Sequence, residues 1–469
     1  MGVTQGSRDE ASSGKGITVS TQSLGEQTVD LLARLVRLGC VNDLTADSGG
    51  EERAADLLEE FFAGLPVSIE RVTPHPGRTT LVVTVEGSAP HGDGTPLTLV
   101  GHTDVVPVDE AKWTRDPFGA QIEDGVMWGR GTVDMLHLTA AMAVITREVA
   151  RRAQAGEPPA RSLVFVAAAD EEARGGLGIP WIGENRPDAF PWDAALSEMG
   201  GAHIRGRRGG DGVVVVVGEK GAAQRRLHIR GDAGHGSVPL GRTSAVERLA
   251  QVSAALSAAR WPTATDEVWA GFVRAFEFEE ATETSLINST YEGDYAEFGD
   301  LAAFAHAISH VAVAQTVAHS GGPINVMPSH ATLELDIRTL PGVDDDDVDA
   351  AITAALGDLA EHVTIERPLC EAATASSIDT DLYRAIEAAL SRRYPGVAVV
   401  PVLMPGGTDL RVARRRGGIG FGFGAYDSGA NLGQVYAQLH AHDEHIALVD
   451  VRATAEVLHD IVTQYLTHR

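Results

Sequence analysis

At five places the chain sets an imidazole or a carboxylate at the end of an apolar or glycine-rich run. Leu97-Thr98-Leu99-Val100 leads into Gly101-His102-Thr103-Asp104. Gly129-Arg130-Gly131-Thr132-Val133 ends in Asp134. Leu163 to Ala169 leads into Asp170-Glu171-Glu172, and Ala194-Ala195-Leu196-Ser197 into Glu198. Leu439 precedes His440-Ala441-His442-Asp443-Glu444-His445. Each has an ordinary explanation: His102 as a capped strand end, Asp134 as a helix N-cap, the acids as a solvated loop. Five in succession are better explained by a metal. Imidazole and carboxylate ligands without thiolate suit Zn, Co or Mn. Two such ions about 3.5–4 Å apart make a hydrolytic centre. Amide hydrolysis needs an activated water, a base for its proton and positive charge at the developing oxyanion. Adjacent Glu171 and Glu172 can divide into one base and one ligand, and spacing does not say which is which.

The elements that must position these residues follow from hydrophobic patterning. His102 and Asp104 lie two apart at a strand end, so they project to one face. Leu163–Ala168 is a continuous apolar run, as expected of a central parallel strand. Met135 to Ala153 reads as a long helix, and further helices are expected at 382–393 and 448–466. Strands alternating with helices predict an α/β sheet with helices on both faces. The pattern changes near Gly221. Strands at Leu227–Ile229, Ala331–Ile337 and His362–Ile365, with helices at 245–259 and 345–359, predict an α+β insert of the β-α-β-β-α-β, ferredoxin-like type. Residues 261–325 are not placed by pattern beyond an extra helix and loops. The expected organisation is a flexible tail over 1–24, a catalytic domain over 25–220 and 371–469 with a mostly parallel sheet, and an inserted lid over 221–370.

GHTDVVP, the Trp113–Phe118 WxxDPF segment, GRGTVDM, ADEE, LSEMGG and HAHDEH occur in the order and spacing of the M20 metallopeptidase family. The chain resembles that family from about residue 25 onward. The family includes carboxypeptidases, dipeptidases, aminoacylases and succinyl-diaminopimelate desuccinylase. The resemblance implies two divalent ions, Zn first and Co or Mn as alternatives. It makes His102 and Glu198 ligands of one ion, Glu172 and His440 ligands of the other, and Asp134 the bridge. Asp104 would orient His102, and Glu171 would be the general base acting on a water between the metals. His442 and His445 compete with His440. The resemblance further implies a homodimer through the insert, with His235 reaching the neighbouring active site. Asn325, Arg338, Gly407 and Thr408 would meet the substrate, a small peptide or an N-acyl amino acid. Without the resemblance, His235 is an ordinary loop residue and Arg338 a partner of Asp336 or Glu334. The chain departs from the family at Leu136, where many members carry Lys.

Composition narrows the alternatives. The chain of 469 residues exceeds the size of one core, which stops growing at roughly 250–300 residues. A net charge of −27 disfavours nucleic acid and anionic membranes as partners. Cys40 and Cys370 form no Cys-x-x-Cys pair, so neither thiolate zinc nor a disulfide framework is expected. No membrane span, export signal or myristoylation pattern is read, and a cytoplasmic protein is expected. Serine-hydrolase G-x-S-x-G and H-E-x-x-H zinc motifs are absent. Asp344 to Asp347 reads as helix-start acid, not a calcium loop.

Overall fold

The computed structural model describes residues 22–89, 94–264 and 266–467. Residues 1–21 of the expected tail lie outside the described residues. Ser23 caps the first helix, Leu24–Leu38, by accepting from the Glu26 N–H.

A large mixed sheet forms the main body. Its centre is parallel: Leu97–His102 lies between Leu163–Ala168 and Ala194–Ser197, and Ile419–Gly422 follows. Antiparallel strands flank the centre, with Arg78–Val85 beside Leu163–Ala168 and Asp211–Glu219 beside Ile419–Gly422. Leu97–His102 and Leu163–Ala168 are buried at every position. That is why Leu163–Ala168 reads as a continuous apolar run, and why Leu97–Val100 is interrupted only at Thr98, whose hydroxyl donates to the Pro191 carbonyl. Helices Leu24–Leu38, Leu136–Gln154 and Leu448–Thr467 pack against one another over one face. Ile179–Asn185 and Leu410–Arg415 cover the other. Gly101 lets the His102 strand sit tightly on helix Leu136–Gln154, because a Cβ there would lie 2.6 Å from the Thr139 hydroxyl. Thr139 also donates to the His102 carbonyl at 2.8 Å.

The second sheet holds strands Ala312–Ser320, His330–Thr339, Gly221–Arg230 and Val363–Glu371, in that spatial order and all antiparallel. With helices Ala245–Ala258 and Asp345–Leu356 it makes the expected ferredoxin-like unit. Its first strand is longer than Leu227–Ile229 because Arg225 interrupts the apolar pattern yet is fully buried. Arg225 donates to Asp345 and Asp349 at 2.6 Å each. The 345 helix ends at Leu356, where Gly357 takes φ +53°, a left-handed turn that suits glycine. Asp344 caps the start of that helix in a capping box, as its acidic start suggests.

The stretch left unplaced by pattern contains three helices, Glu267–Ala275, Glu280–Ile287 and Ala302–Ser309. They turn back onto the large sheet, where Phe272, Phe276, Phe298 and Phe304 share a core with Val400 and Val402. Lys220, on the crossing between the two sheets, donates to the carbonyls of Ala307 and His310. A cation at that helix end is favourable.

Candidate metal centre

The parallel strands deliver their carboxyl ends to one place, where open α/β sheets bind ligands. His102 ends its strand with Nε2 3.2 Å from Asp134 Oδ1 and 3.8 Å from Glu198 Oε2. His440 Nε2 lies 3.1 Å from Glu172 Oε2 and 3.4 Å from Asp134 Oδ2. Asp134 therefore turns one oxygen to each imidazole, the disposition a bridging carboxylate needs. His102, Asp134 and Glu172 form one group whose donor atoms lie within 4.8 Å of one another; His102, Glu171 and Glu198 form a second. The residues fit two adjacent divalent cations by their chemistry: hard carboxylates with imidazole, no thiol, and more negative charge than the buried volume can hold unneutralised.

Electrostatics carries the same message. Burial and the charge of Asp134 push Glu172 up to about 7 and Glu198 up to about 8. Burial and Glu198 hold Glu171 well above the usual carboxyl range. Hydrogen bonding to Asp134 and Glu172 raises His440 to about 10. Burial opposes a charged His102, but Asp134 and Glu198 outweigh it and hold the ring well above its ordinary value. Burial would raise Asp134, yet the two imidazoles hold it below its ordinary value.

Two buried carboxylates hold the loops in place. Asp104 was expected to orient His102 through its carboxylate. Instead its backbone carbonyl meets His102 Nδ1 at 2.9 Å, and its carboxylate stands 3.7 Å from that nitrogen. The carboxylate accepts the N–H groups of Glu171 at 3.2 Å and Glu172 at 3.1 Å, and Asn42 Nδ2 at 2.9 Å. It thus fixes the turn that carries Glu171 and Glu172. Behind it, Arg78 is fully buried and joins Glu51 at 2.6 Å and Asn42 at 3.1 Å. Glu444 accepts from Arg130, Gly131, Val133 and Asp134 at 2.7–3.2 Å, which anchors the whole glycine loop that presents Asp134. Asp134 makes no cap bond, and the helix begins after it at Leu136. Asn42, Arg78 and Glu444 are the functional residues that sequence reasoning missed as such. Only Glu444 had a signal, its place in the HAHDEH cluster.

His442 and His445 do not join the cluster. His445 stacks on Trp128 with ring centroids 4.3 Å apart and turns Nδ1 to the Asp443 carbonyl. His440 has φ +59°, an uncommon backbone state for a side chain other than glycine. Leu136 is buried in the core, and the adjacent His137 is buried with neither ring nitrogen bonded.

The remaining candidates lie outside the cluster. His235 is exposed on a two-stranded ribbon of the insert, held to Ser237, and the Gly236 N–H donates to the Asn325 carbonyl. Neither His235 nor Asn325 meets the metal ligands of its own chain among the described contacts. Arg338 pairs with Asp336 at 3.1 Å and lines a cleft of about 1370 Å³ with Trp261, Tyr291, His306 and His310. Thr408 is buried and donates through both its N–H and its hydroxyl to Glu219, with Gly407 beside it.

Two adjoining groups of imidazole and carboxylate donors stand at the ends of parallel strands, beside a ferredoxin-like unit, an arrangement able to hold metal. The chain matches the peptidase family M20/M25/M40 over residues 98–464, and it belongs to that family. It is 27% identical over 327 residues to a probable carboxypeptidase S-like 2 of Dictyostelium discoideum, covering 67% of this chain and 62% of the relative. It is 34% identical over 178 residues to a succinyl-diaminopimelate desuccinylase of Xylella fastidiosa (strain 9a5c), covering 37% of this chain and 45% of the relative. The matched region is thus less than two thirds of either relative's length. The M20 family metallo-carboxypeptidase Sso-CP2 from Sulfolobus solfataricus shares the fold, with TM-score 0.67, 18% identity, 94% of this chain and 99% of that one.

Two outcomes follow from this geometry. Glu444→Ala should keep the fold but weaken metal retention, by about 10–100-fold as for other groups that support ligands; elemental analysis after graded chelation reads this. Divalent-ion binding should release protons at pH 7 and tighten as pH rises from 7 toward 10, because Glu172, Glu198 and His440 must lose protons first. Calorimetry in buffers of different ionisation enthalpy measures that release.

Proposed function

We propose that this chain hydrolyses the amide bond of a small peptide or an N-acyl amino acid, with carboxypeptidase or dipeptidase action favoured. The observation that carries the reading is the grouping of Glu171 with His102 and Glu198 beside a second cradle of His102, Asp134 and Glu172. Bound divalent ions, with zinc first and cobalt or manganese as alternatives, would acidify a water and polarise the scissile carbonyl. We assign His102, Asp134, Glu172, Glu198 and His440 to hold them. Glu171 takes the proton of the attacking water and returns it to the leaving amine. Its burial suits that task, because a carboxyl held above its usual range keeps a proton long enough to deliver it. Asp104 keeps Glu171 and Glu172 in register by holding both backbone N–H groups.

We assign residues 25–220 and 371–469 to catalysis and 221–370 to the insert, with 267–309 forming a wall between them. Arg338, with Asn325, Gly407 and Thr408, is assigned to the substrate. A guanidinium in this cleft suits a substrate carboxylate, which favours peptides with a free C-terminus. Hydrolysis of N-acyl amino acids is the second reading, favoured by the likeness to a desuccinylase. The exposed ribbon of the insert, with Val238, Leu240 and Ile324 uncovered, supports a homodimer in which His235 acts at the neighbouring site. Among the described residues no helix is long and apolar enough to cross a membrane. Two unpaired cysteines accord with a cytoplasmic setting.

Glu171→Gln should lower kcat about 10²–10⁴-fold on dipeptides or N-acyl amino acids while retaining its metal. Loss of metal instead would exchange the roles of Glu171 and Glu172. Mixing Glu171→Gln with His235→Ala chains should restore about a quarter of wild-type activity, because half of randomly paired dimers then hold one complete site. No recovery after subunit exchange would remove the role of His235 in a neighbouring site.

A further inference from the structure

Asp409 is a buried acid that the assignments above leave without a task. It follows Thr408 in the Gly406–Asp409 turn and is 4% exposed, and neither carboxylate oxygen has a hydrogen-bond partner among the described residues. Arg411 is the charge that bears most on this carboxyl, but it makes no hydrogen bond to it among the described residues. Arg411 gives Nη1 to the Thr408 carbonyl and Nη2 to the Arg174 carbonyl. Thr408 gives both of its donors to Glu219, and Arg414 donates to Glu219 and the Gly420 carbonyl. An acceptor held out of water without a donor is costly, the more so for a charged group. Such a group in a native fold calls for a missing partner.

The place of Asp409 narrows what that partner is. The Arg411 bond to Arg174 ties the 408–411 turn to the turn that begins at Glu171, where the Arg174 N–H closes on the Glu171 carbonyl at 2.8 Å. Asp409 Oδ1 comes within 3.7 Å of where a Cβ on Gly175 would stand. Glu198, His102, Asp409 and Glu172 are the charged groups that bear most on the Glu171 carboxyl, and of these only Asp409 lies outside the two cation cradles. In a peptide, the α-amino nitrogen of the residue on the acyl side is two bonds from the attacked carbon, a span of about 2.5 Å. Whatever receives that nitrogen must border the base.

From this geometry we propose that Asp409 receives the free α-ammonium group of the substrate residue that supplies the scissile carbonyl. The inference rests on the reading of the site as an amide hydrolase and sharpens it. The preferred substrate is then a short peptide cut next to its free amino terminus, with a dipeptide as the simplest case. An N-acyl amino acid would leave the Asp409 carboxylate without its donor. Burial lifts the Asp409 carboxyl to about 7 in the unliganded chain, and an ammonium partner would favour its ionised form.

The test compares alanyl-leucine with propionyl-leucine, which has the same skeleton without the amine, on the metal-loaded enzyme and on D409N. The wild type should prefer alanyl-leucine by about 100-fold or more in kcat/KM, the scale on which polar sites reject analogues lacking the matching group. D409N should narrow that ratio at least about tenfold, chiefly through KM for alanyl-leucine. Metal content should match the wild type. Equal turnover of the two compounds by the wild type overturns the proposal, and this result stands even where D409N does not fold. A D409N enzyme that loses both substrates in equal proportion overturns it too, since Asp409 would then be structural. Failure of the wild type on these and on the wider peptide and N-acyl panels overturns the amide-hydrolase reading itself.

Discussion

Four carboxylates and two imidazoles share a small region largely withdrawn from water, and most other polar features of the main body serve that crowding. Asp134, Glu171, Glu172 and Glu198 cannot all be ionised together without a compensating charge. Burial and mutual repulsion raise the three glutamates, while the two imidazoles hold Asp134 below its ordinary value. The parallel centre of the sheet creates the problem and makes it useful. Neighbouring strands Leu97–His102, Leu163–Ala168 and Ala194–Ser197 run the same way, so residues far apart in sequence emerge at one edge.

Holding like charges together requires rigid loops, and each loop is tied by a buried carboxylate that is not itself placed at a cation. Asp104 takes the backbone of the Glu171–Glu172 turn; Glu444 takes the backbone of the loop ending in Asp134. Both depend on buried arginines, with Arg130 paired to Glu444 directly and Arg78 backing Asp104 through Asn42. A carboxylate that accepts several N–H bonds is a firm anchor, because every oxygen it buries is paid back in directed contacts.

The ferredoxin-like unit solves a different problem. Its sheet and two helices close their own core around Leu227, Leu333, Ile337 and Ile352. The helices at 267–309 leave that core and join the main body through a cluster of phenylalanines. Tyr291 and His306 from this stretch line the cleft together with Trp261 and Arg338 of the insert.

Much of this was legible in the chain itself. The continuous apolar run at Leu163–Ala168, and the run at Leu97–Val100 interrupted only by Thr98, announce central strands, because burial on both faces removes the need for alternation. Acids and histidines following such runs announce a site at strand ends. The β-α-β-β-α-β order of the insert was readable from its alternation and helix caps. Other features were not legible, because they depend on partners distant in sequence. Arg225 looks like an exposed break in a strand until Asp345 and Asp349 meet it. Nothing local says that Asp104 would hold the Glu171–Glu172 turn through both backbone N–H groups. Nor does the run of helices after Pro262 reveal which sheet it covers, since an amphipathic helix specifies only that one face is buried. Local patterning decides which elements form and which residues can do chemistry. Only tertiary packing decides which charges are brought together out of water, because that choice is made by contacts between residues dozens to hundreds of positions apart.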